Sequence, residues 1–155
     1  MITDTIDRKA IALLQKNARI TWAELGQALG LSAPAAAERV HKLEEQGIIK
    51  GYTALLQADS LGYSLTAFVA VTMVDQRKRA AFHAGVKRLE QIVECHHVAG
   101  DDDFFLKVRC RGTRDLDRLL VDELKGKMGV ARSRTTIVLD TAKETSAIPI
   151  DPEPQ

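Results

Sequence analysis

The stretch that most narrows what this chain can become is 21–51, TWAELGQALGLSAPAAAERVHKLEEQGIIKG. Thr21 followed by Glu24 is a capping box, in which each residue satisfies a backbone donor of the other at a helix start. Trp22, Leu25 and Leu29 then share one face, the apolar stripe of a short helix. Gly30 suits the left-handed residue that ends it. Ser32 caps a second helix, and Pro34 falls in its first turn, where a missing N–H costs little. Ala36, Val40 and Leu43 form the inward face of that helix. Gly47 closes it, with Ile48 folding back on Leu43 as in a Schellman cap. Two helices around a glycine-containing corner make a helix-turn-helix pattern.

The outward face of the second helix sets what the motif can do. The spacing places Ala35, Arg39, Lys42 and Gln46 on one stripe. Small residues at its start (Ser32, Ala33, Pro34 and Ala35) allow close approach to DNA. Glu38, Arg39 and Lys42 follow where side chains reach bases or phosphates. The same residues also suit a solvated face on which Glu38 and Glu44 offset the bases. Charge does not choose between these readings. The chain carries a formal net charge of +1, and residues 1–50 hold seven Lys/Arg against six Asp/Glu. Any affinity for DNA must then come from local placement or from several copies acting together.

LQKNARITWAELGQALGLS, followed by PAAAERVHKLEEQGIIKGYTALL, resembles the DNA-binding half of the Lrp/AsnC (feast/famine) family of transcription regulators. VECHHVAGDDDFFLKVRC and GVARSRTTIVLDTAKET resemble that family's effector-binding half, so the likeness runs roughly from Ile6 to Thr145. It implies an α+β chain: an N-terminal winged-type helix-turn-helix domain and a C-terminal ferredoxin-like βαββαβ domain. It further implies a cytoplasmic, non-enzymatic regulator that binds double-stranded DNA and an amino acid or related metabolite. Such regulators form homodimers that assemble into a ring, an octamer in the family. A ligand-binding or enzymatic ferredoxin-like domain, with the helix-turn-helix serving only protein interaction, is the alternative that the near-neutral N-terminal half leaves open.

Periodicity organises the rest of the chain. Residues 4–16 read as a helix with Ile6, Ala10, Leu13 and Leu14 inward and Asp4 or Thr3 as cap. It closes a three-helix core with Trp22, Leu25, Leu29, Val40 and Leu43, the domain spanning 1–50. Residues 48–56 read as an extended run, and 51–64 as a linker whose segment the family pairs between subunits. Residues 65–74, 92–98, 104–110 and 130–139 read as strands, and 77–89 and a segment capped by Thr113 as helices. Together they give β-α-β-β-α-β over 65–145. Two helices cover one face of such a sheet, and a second copy is the simplest cover for the other. Residues 146–155 include Pro149, Pro152 and Pro154 and read as a flexible tail. No apolar run is long enough to span a bilayer, and the N-terminus lacks the basic-then-apolar pattern of a signal peptide.

Cys95, His96, His97 and Asp101 to Asp103 crowd into nine residues, which invites a metal reading. Strand alternation sends His96 and His97 to opposite faces, so they cannot easily share an ion. No catalytic motif, metal site or cofactor is assigned, and Cys95 and Cys110 read as buried free thiols, with a disulfide between neighbouring strands as the alternative. Gly100-Asp101-Asp102-Asp103 suits a hairpin turn. The resemblance implies more: its Gly-Asp-x-Asp turn lines a small-molecule pocket between dimers, onto which Gly100, Asp101 and Asp103 map. Asp103 would then accept from an α-ammonium group, with Ser133 and Thr135 of the last strand beside it. His97 stands where relatives often have an apolar residue, which favours an effector more polar or aromatic than leucine.

Overall fold

The computed structural model describes residues 4–151 and gives no side-chain placement for Gln76. Thr3, the alternative helix cap, and Pro152 and Pro154 lie outside the described residues. The chain forms two compact units, Leu56–Lys143 and Met1–Leu55 together with Glu144–Gln155.

The N-terminal unit holds α1 (Thr5–Lys16), α2 (Trp22–Leu29) and α3 (Ala33–Glu45). Asp4 caps α1 by accepting from the Asp7 N–H at 2.7 Å. The Thr21–Glu24 capping box is formed in both directions. Gly30 and Gly47 both adopt left-handed backbone, at φ +71° and +68°, and end the helices that precede them. The Ile48 N–H reaches the Leu43 carbonyl at 2.9 Å, the reversed bond that ends α3. A β-carbon on Gly26 would lie 2.8 Å from the Leu31 carbonyl oxygen, so the tight corner between α2 and α3 needs a residue without one. Leu14, Leu25, Ala36 and Val40 make the core, flanked by Leu13, Ile20, Leu29 and Ile49.

Three expectations for this unit change. Trp22 is not core: it is 41% exposed and meets the His41 ring edge-on at 5.9 Å. Helix side chains tilt toward the N-terminus, so a residue in the first turn overhangs the core it is in register with. No strand follows α3 among the described residues of the unit, and 48–56 runs irregularly rather than as a wing. The segment expected to be a loose tail is tied to α1. The Gln15 amide donates to the Ile148 carbonyl and accepts from its N–H, at 3.0 and 2.7 Å, and Arg8 donates to the Asp151 carbonyl.

The second unit holds β1 (Leu65–Met73), α4 (Arg79–Val86), β2 (Ile92–His97), β3 (Phe104–Cys110), α5 (Thr113–Arg118) and β4 (Val130–Ile137). The sheet is antiparallel in the order β2-β3-β1-β4, which is the ferredoxin-like arrangement. Gly112, not Thr113, precedes α5, and no side chain caps it. The helix continues as a π-helical segment, Leu119–Lys125. Alternation sorts the faces. Ala67, Val69, Val71, Phe104, Leu106, Val108 and Cys110 are buried against Phe82, Leu116, Leu119 and Leu124. Phe68, Ala70, Phe105, Lys107 and Arg134 occupy the other face, away from the helices of this unit. There Phe68 stacks on Phe105 at 5.8 Å, and Phe105 is 40% exposed. No helix among the described residues is long and apolar enough to cross a membrane.

Candidate nucleic-acid interface and effector site

On α3, burial of Ala36, Val40 and Leu43 fixes which side faces out. Successive residues turn by about 100°. The direction opposite the buried stripe therefore runs through Pro34, Glu38, His41 and Glu45, all exposed, with Lys42 beside them. Ser32 is exposed and caps the helix, its hydroxyl accepting from the Ala35 N–H at 3.3 Å; Ala33 and Ala35 are half-buried. Lys42 pairs with Glu38 at 2.8 Å, one turn away.

Arg39 departs from its expected place. It lies on the flank of α3 that faces α1, and its Nη1 bonds Asp4 Oδ2 at 2.6 Å and Asp7 Oδ1 at 2.7 Å. Those bonds raise the guanidinium's pKa, the Asp4 bond most. The Asp4 carboxyl is held below its usual range, first by the Asp7 N–H and then by Arg39. One carboxylate thus caps α1 and anchors α3. The stripe drawn through Ala35, Arg39, Lys42 and Gln46 is about 90° away from the true outward direction. The inward residues alone would have corrected it, and they also point to His41, which that stripe omitted.

In the second unit, the 100–103 turn joins β2 to β3. Gly100 has φ +139°, a conformation that side chains disfavour. Asp101 is exposed. Asp103, expected to face a ligand's ammonium group, turns back onto the sheet. Its Oδ2 accepts from the Met73 N–H at 2.7 Å, and its own N–H donates to the Val71 carbonyl at 2.8 Å. Asp102, given no role by the resemblance, is half-buried. Its side chain is 12% exposed and accepts from Arg134 at 2.9 Å and from the Thr72 hydroxyl at 3.3 Å, with Arg132 at 3.8 Å. The spacing of Arg132 and Arg134 was the available signal, since it puts two cations on one strand face.

His97, Ser133 and Thr135 all point to the helix-covered face of the sheet, but not together. His97 pairs with Phe104, Phe104 with Val71, and Val71 with Ser133, one row across the whole sheet. Three strand spacings, about 14 Å, separate its ends, and the fully buried Phe104 and Val71 lie between. One copy of the chain does not bring His97 to the two hydroxyls. His97 sits instead 5.3 Å from the Phe104 ring, which His83 also approaches at 5.3 Å. His96 is on the opposite face, beside Glu94. Among the described residues no group of three or more His, Cys, Asp or Glu could hold a metal ion. Cys95 and Cys110 are both free. Burial, then the Asp115 charge, pushes the Cys110 thiol up to about 11, and burial raises Cys95 as well, so neither is an activated nucleophile.

Residues 4–44 match the AsnC-type helix-turn-helix domain, and residues 66–148 match the Lrp/AsnC ligand binding domain. The leucine-responsive regulatory proteins of Salmonella typhimurium and Escherichia coli K12 are each 40% identical over 153 residues, covering 95% of this chain and 91% of theirs. The chain belongs to the Lrp/AsnC family. A transcriptional regulator from Neisseria meningitidis in complex with L-Met superposes with a TM-score of 0.90 at 29% identity, over 95% of this chain and 96% of that one. Escherichia coli AsnC does so with 0.88 at 26%, over 96% and 100%. A feast or famine regulatory protein from M. tuberculosis complexed with L-methionine gives 0.86 at 34%, over 94% and 97%. The chain therefore carries the two halves of a transcriptional regulator of the Lrp/AsnC family, a helix-turn-helix for DNA and a ligand-binding domain.

Proposed function

We propose that the chain regulates transcription as a homo-oligomer whose grip on DNA is adjusted by a free amino acid. The observation that carries this reading is the pairing, on one chain, of an AsnC-type helix-turn-helix with an Lrp/AsnC ligand-binding domain. In this reading α3 enters the major groove with Ser32, Ala33, Pro34 and Ala35 close to the DNA and Glu38, His41 and Lys42 toward base edges. Arg39 serves the domain's integrity. The chain binds and carries out no reaction.

A second copy is needed on physical grounds. The stacked Phe68 and Phe105 with Ala70 form an apolar centre on the face away from this unit's helices. Lys107 with Glu94 and Arg134 with Asp102 lie around it. Two such faces can close on one another. Leu55 and Leu56 in the linker are largely exposed and suit pairing with the same segment of a partner. Dimers of this kind present two recognition helices to successive major grooves, about 34 Å apart. Dimers then assemble into a ring, and the effector sits where they meet. That location accounts for the separation of His97 from Ser133 and Thr135 within one copy. It also couples ligand binding to assembly, reciprocally.

For the amino acid itself, Asp101 is the better candidate for the ammonium group, because Asp103 is engaged with Met73. Gly100 leaves room at the turn. Relatives that are leucine-responsive or hold L-methionine make aliphatic and thioether amino acids the first to test. Selection of bound sequences from random DNA tests the DNA half. The wild type should enrich a two-fold symmetric site with half-sites one helical turn apart. Replacing Glu38 or His41 with Ala should alter the bases chosen, and enrichment unaffected by both substitutions would refute the docking face.

A further inference from the structure

At the end of the sheet opposite the 100–103 turn lies an open basin of about 830 Å³, lined by four arginines, Arg88, Arg111, Arg114 and Arg118, with Tyr63 and Gln91. Tyr63 precedes β1, Gln91 precedes β2, and Arg111 follows β3, so the strand ends themselves form the floor. Two carboxylates share the lining, Glu90 and Asp115, and Asp115 is occupied by the Arg111 N–H at 3.0 Å. None of the four guanidinium groups has an ion pair among the described residues. Arg39, Arg77, Arg132 and Arg134, by contrast, are each held by a carboxylate. Arg111 instead lies over the Tyr63 ring, 5.6 Å from its centre, which fixes its direction without neutralising it.

Four guanidinium forks around one concavity that holds only two carboxylates, in a chain of net charge +1, leave a surplus of charged donors over acceptors. Guanidinium binds phosphate oxygens through two parallel hydrogen bonds, and several forks together suit a ligand with several phosphate charges. The volume is that of a site for a small molecule rather than for a single ion. We propose that this basin binds a small molecule carrying two or more phosphates, of nucleoside-polyphosphate size, with the phosphates on Arg88, Arg111 and Arg114 and the Tyr63–Gln91 wall beside the remainder. The site is separate from the amino-acid turn and would give the regulator a second input.

The test is isothermal titration of the full chain with ATP and with pyrophosphate at about 0.15 M ionic strength. The expected result is saturable binding of both probes, one per chain. Arg88→Ala with Arg114→Ala removes two exposed side chains without ion-pair partners, so its melting temperature should match the wild type. That variant should lose affinity at least about tenfold. Arg111→Lys with Arg114→Lys keeps the charge but removes the forks, and it should also bind more weakly. DNA affinity of both variants should remain that of the wild type, so the result stands apart from the DNA-binding reading. The proposal is overturned if neither probe binds saturably, if the alanine variant binds as well as the wild type, or if the lysine variant binds equally, which would make the basin mere surface charge. Loss of DNA affinity in a chain that ignores both probes would overturn it too, by assigning the arginines to the DNA backbone.

Discussion

Replacing Arg39 with Ala should weaken the N-terminal unit without removing a contact to DNA. Arg39 joins α3 to α1 through two short bonds from one nitrogen, 2.6 Å to Asp4 and 2.7 Å to Asp7, with its side chain 33% exposed. Hydrogen bonds to charged partners contribute about 1.5–3 kcal/mol each when enclosed, and exposed ion pairs only about 0.2–1 kcal/mol. At one-third exposure, with Asp7 the more enclosed partner, the expected loss is about 1–2 kcal/mol in all. That is a substantial share of the roughly 3–7 kcal/mol expected of a unit this small. Trp22, the single tryptophan, lies in this unit. Its fluorescence during urea unfolding therefore reports the unit directly. Arg39→Lys should recover only part of the loss, since the compact lysine ammonium is more strongly hydrated than a guanidinium. Acid titration adds a check with a definite sign. Asp4 has a folded pKa below its unfolded value, so its stabilising effect is complete above about pH 4 and fades as pH falls toward the folded pKa. Arg39→Ala removes one cause of that depression and should flatten the acid limb. A variant with unchanged urea stability but weaker DNA binding and a shallower salt dependence would refute this reasoning and return Arg39 to the DNA.

Four further outcomes are expected. Phe105→Glu places a charge in the uncovered sheet face and removes an aromatic contact of about 1.5–3 kcal/mol from each copy, so sedimentation should show the dimer lost. Asp101→Ala should abolish the amino-acid response in a thermal-shift screen with little change in melting of the free protein. Asp103→Ala should lower that melting, because the Met73 N–H loses its acceptor at a cost of about 1–3 kcal/mol, and a wild-type melting curve would count against it. Gly26→Ala should destabilise the N-terminal unit by about 1–3 kcal/mol in the Trp22 assay, as its β-carbon meets the Leu31 carbonyl at 2.8 Å.

Features that depend on neighbours in the chain were legible in the sequence. The Thr21–Glu24 box, the left-handed Gly30 and Gly47, and the alternating faces of β3 follow from spacings of one to four residues. The β-α-β-β-α-β order followed for the same reason. What escaped depends on residues far apart. Arg39 meets Asp4 across 35 positions, Arg134 meets Asp102 across 32, and Gln15 meets Ile148 across 133. No periodicity encodes such pairs, so the partners of Arg39 and the tether of the C-terminal segment were hidden, although the buried Ala36, Val40 and Leu43 already set Arg39 off the outward face. Trp22 was misplaced for a different reason: its angular position was right, but its place in the first turn puts it beyond the core. The Asp-rich turn was found by its residues. Its internal division of labour, with Asp102 and Asp103 turned to the protein and Asp101 to solvent, required the strand register.

The central claim joins DNA binding to an amino acid through one oligomer. It is tested most directly by fluorescence-anisotropy titration of the full chain on its own upstream DNA, with and without each of the twenty amino acids, L-methionine and L-leucine first, while sedimentation follows assembly in the same samples. The account predicts tighter binding to that DNA than to random sequence, and a shift in both affinity and assembly with at least one amino acid. Equal binding to both DNAs, or an affinity and assembly state that none of the twenty amino acids changes, would contradict it.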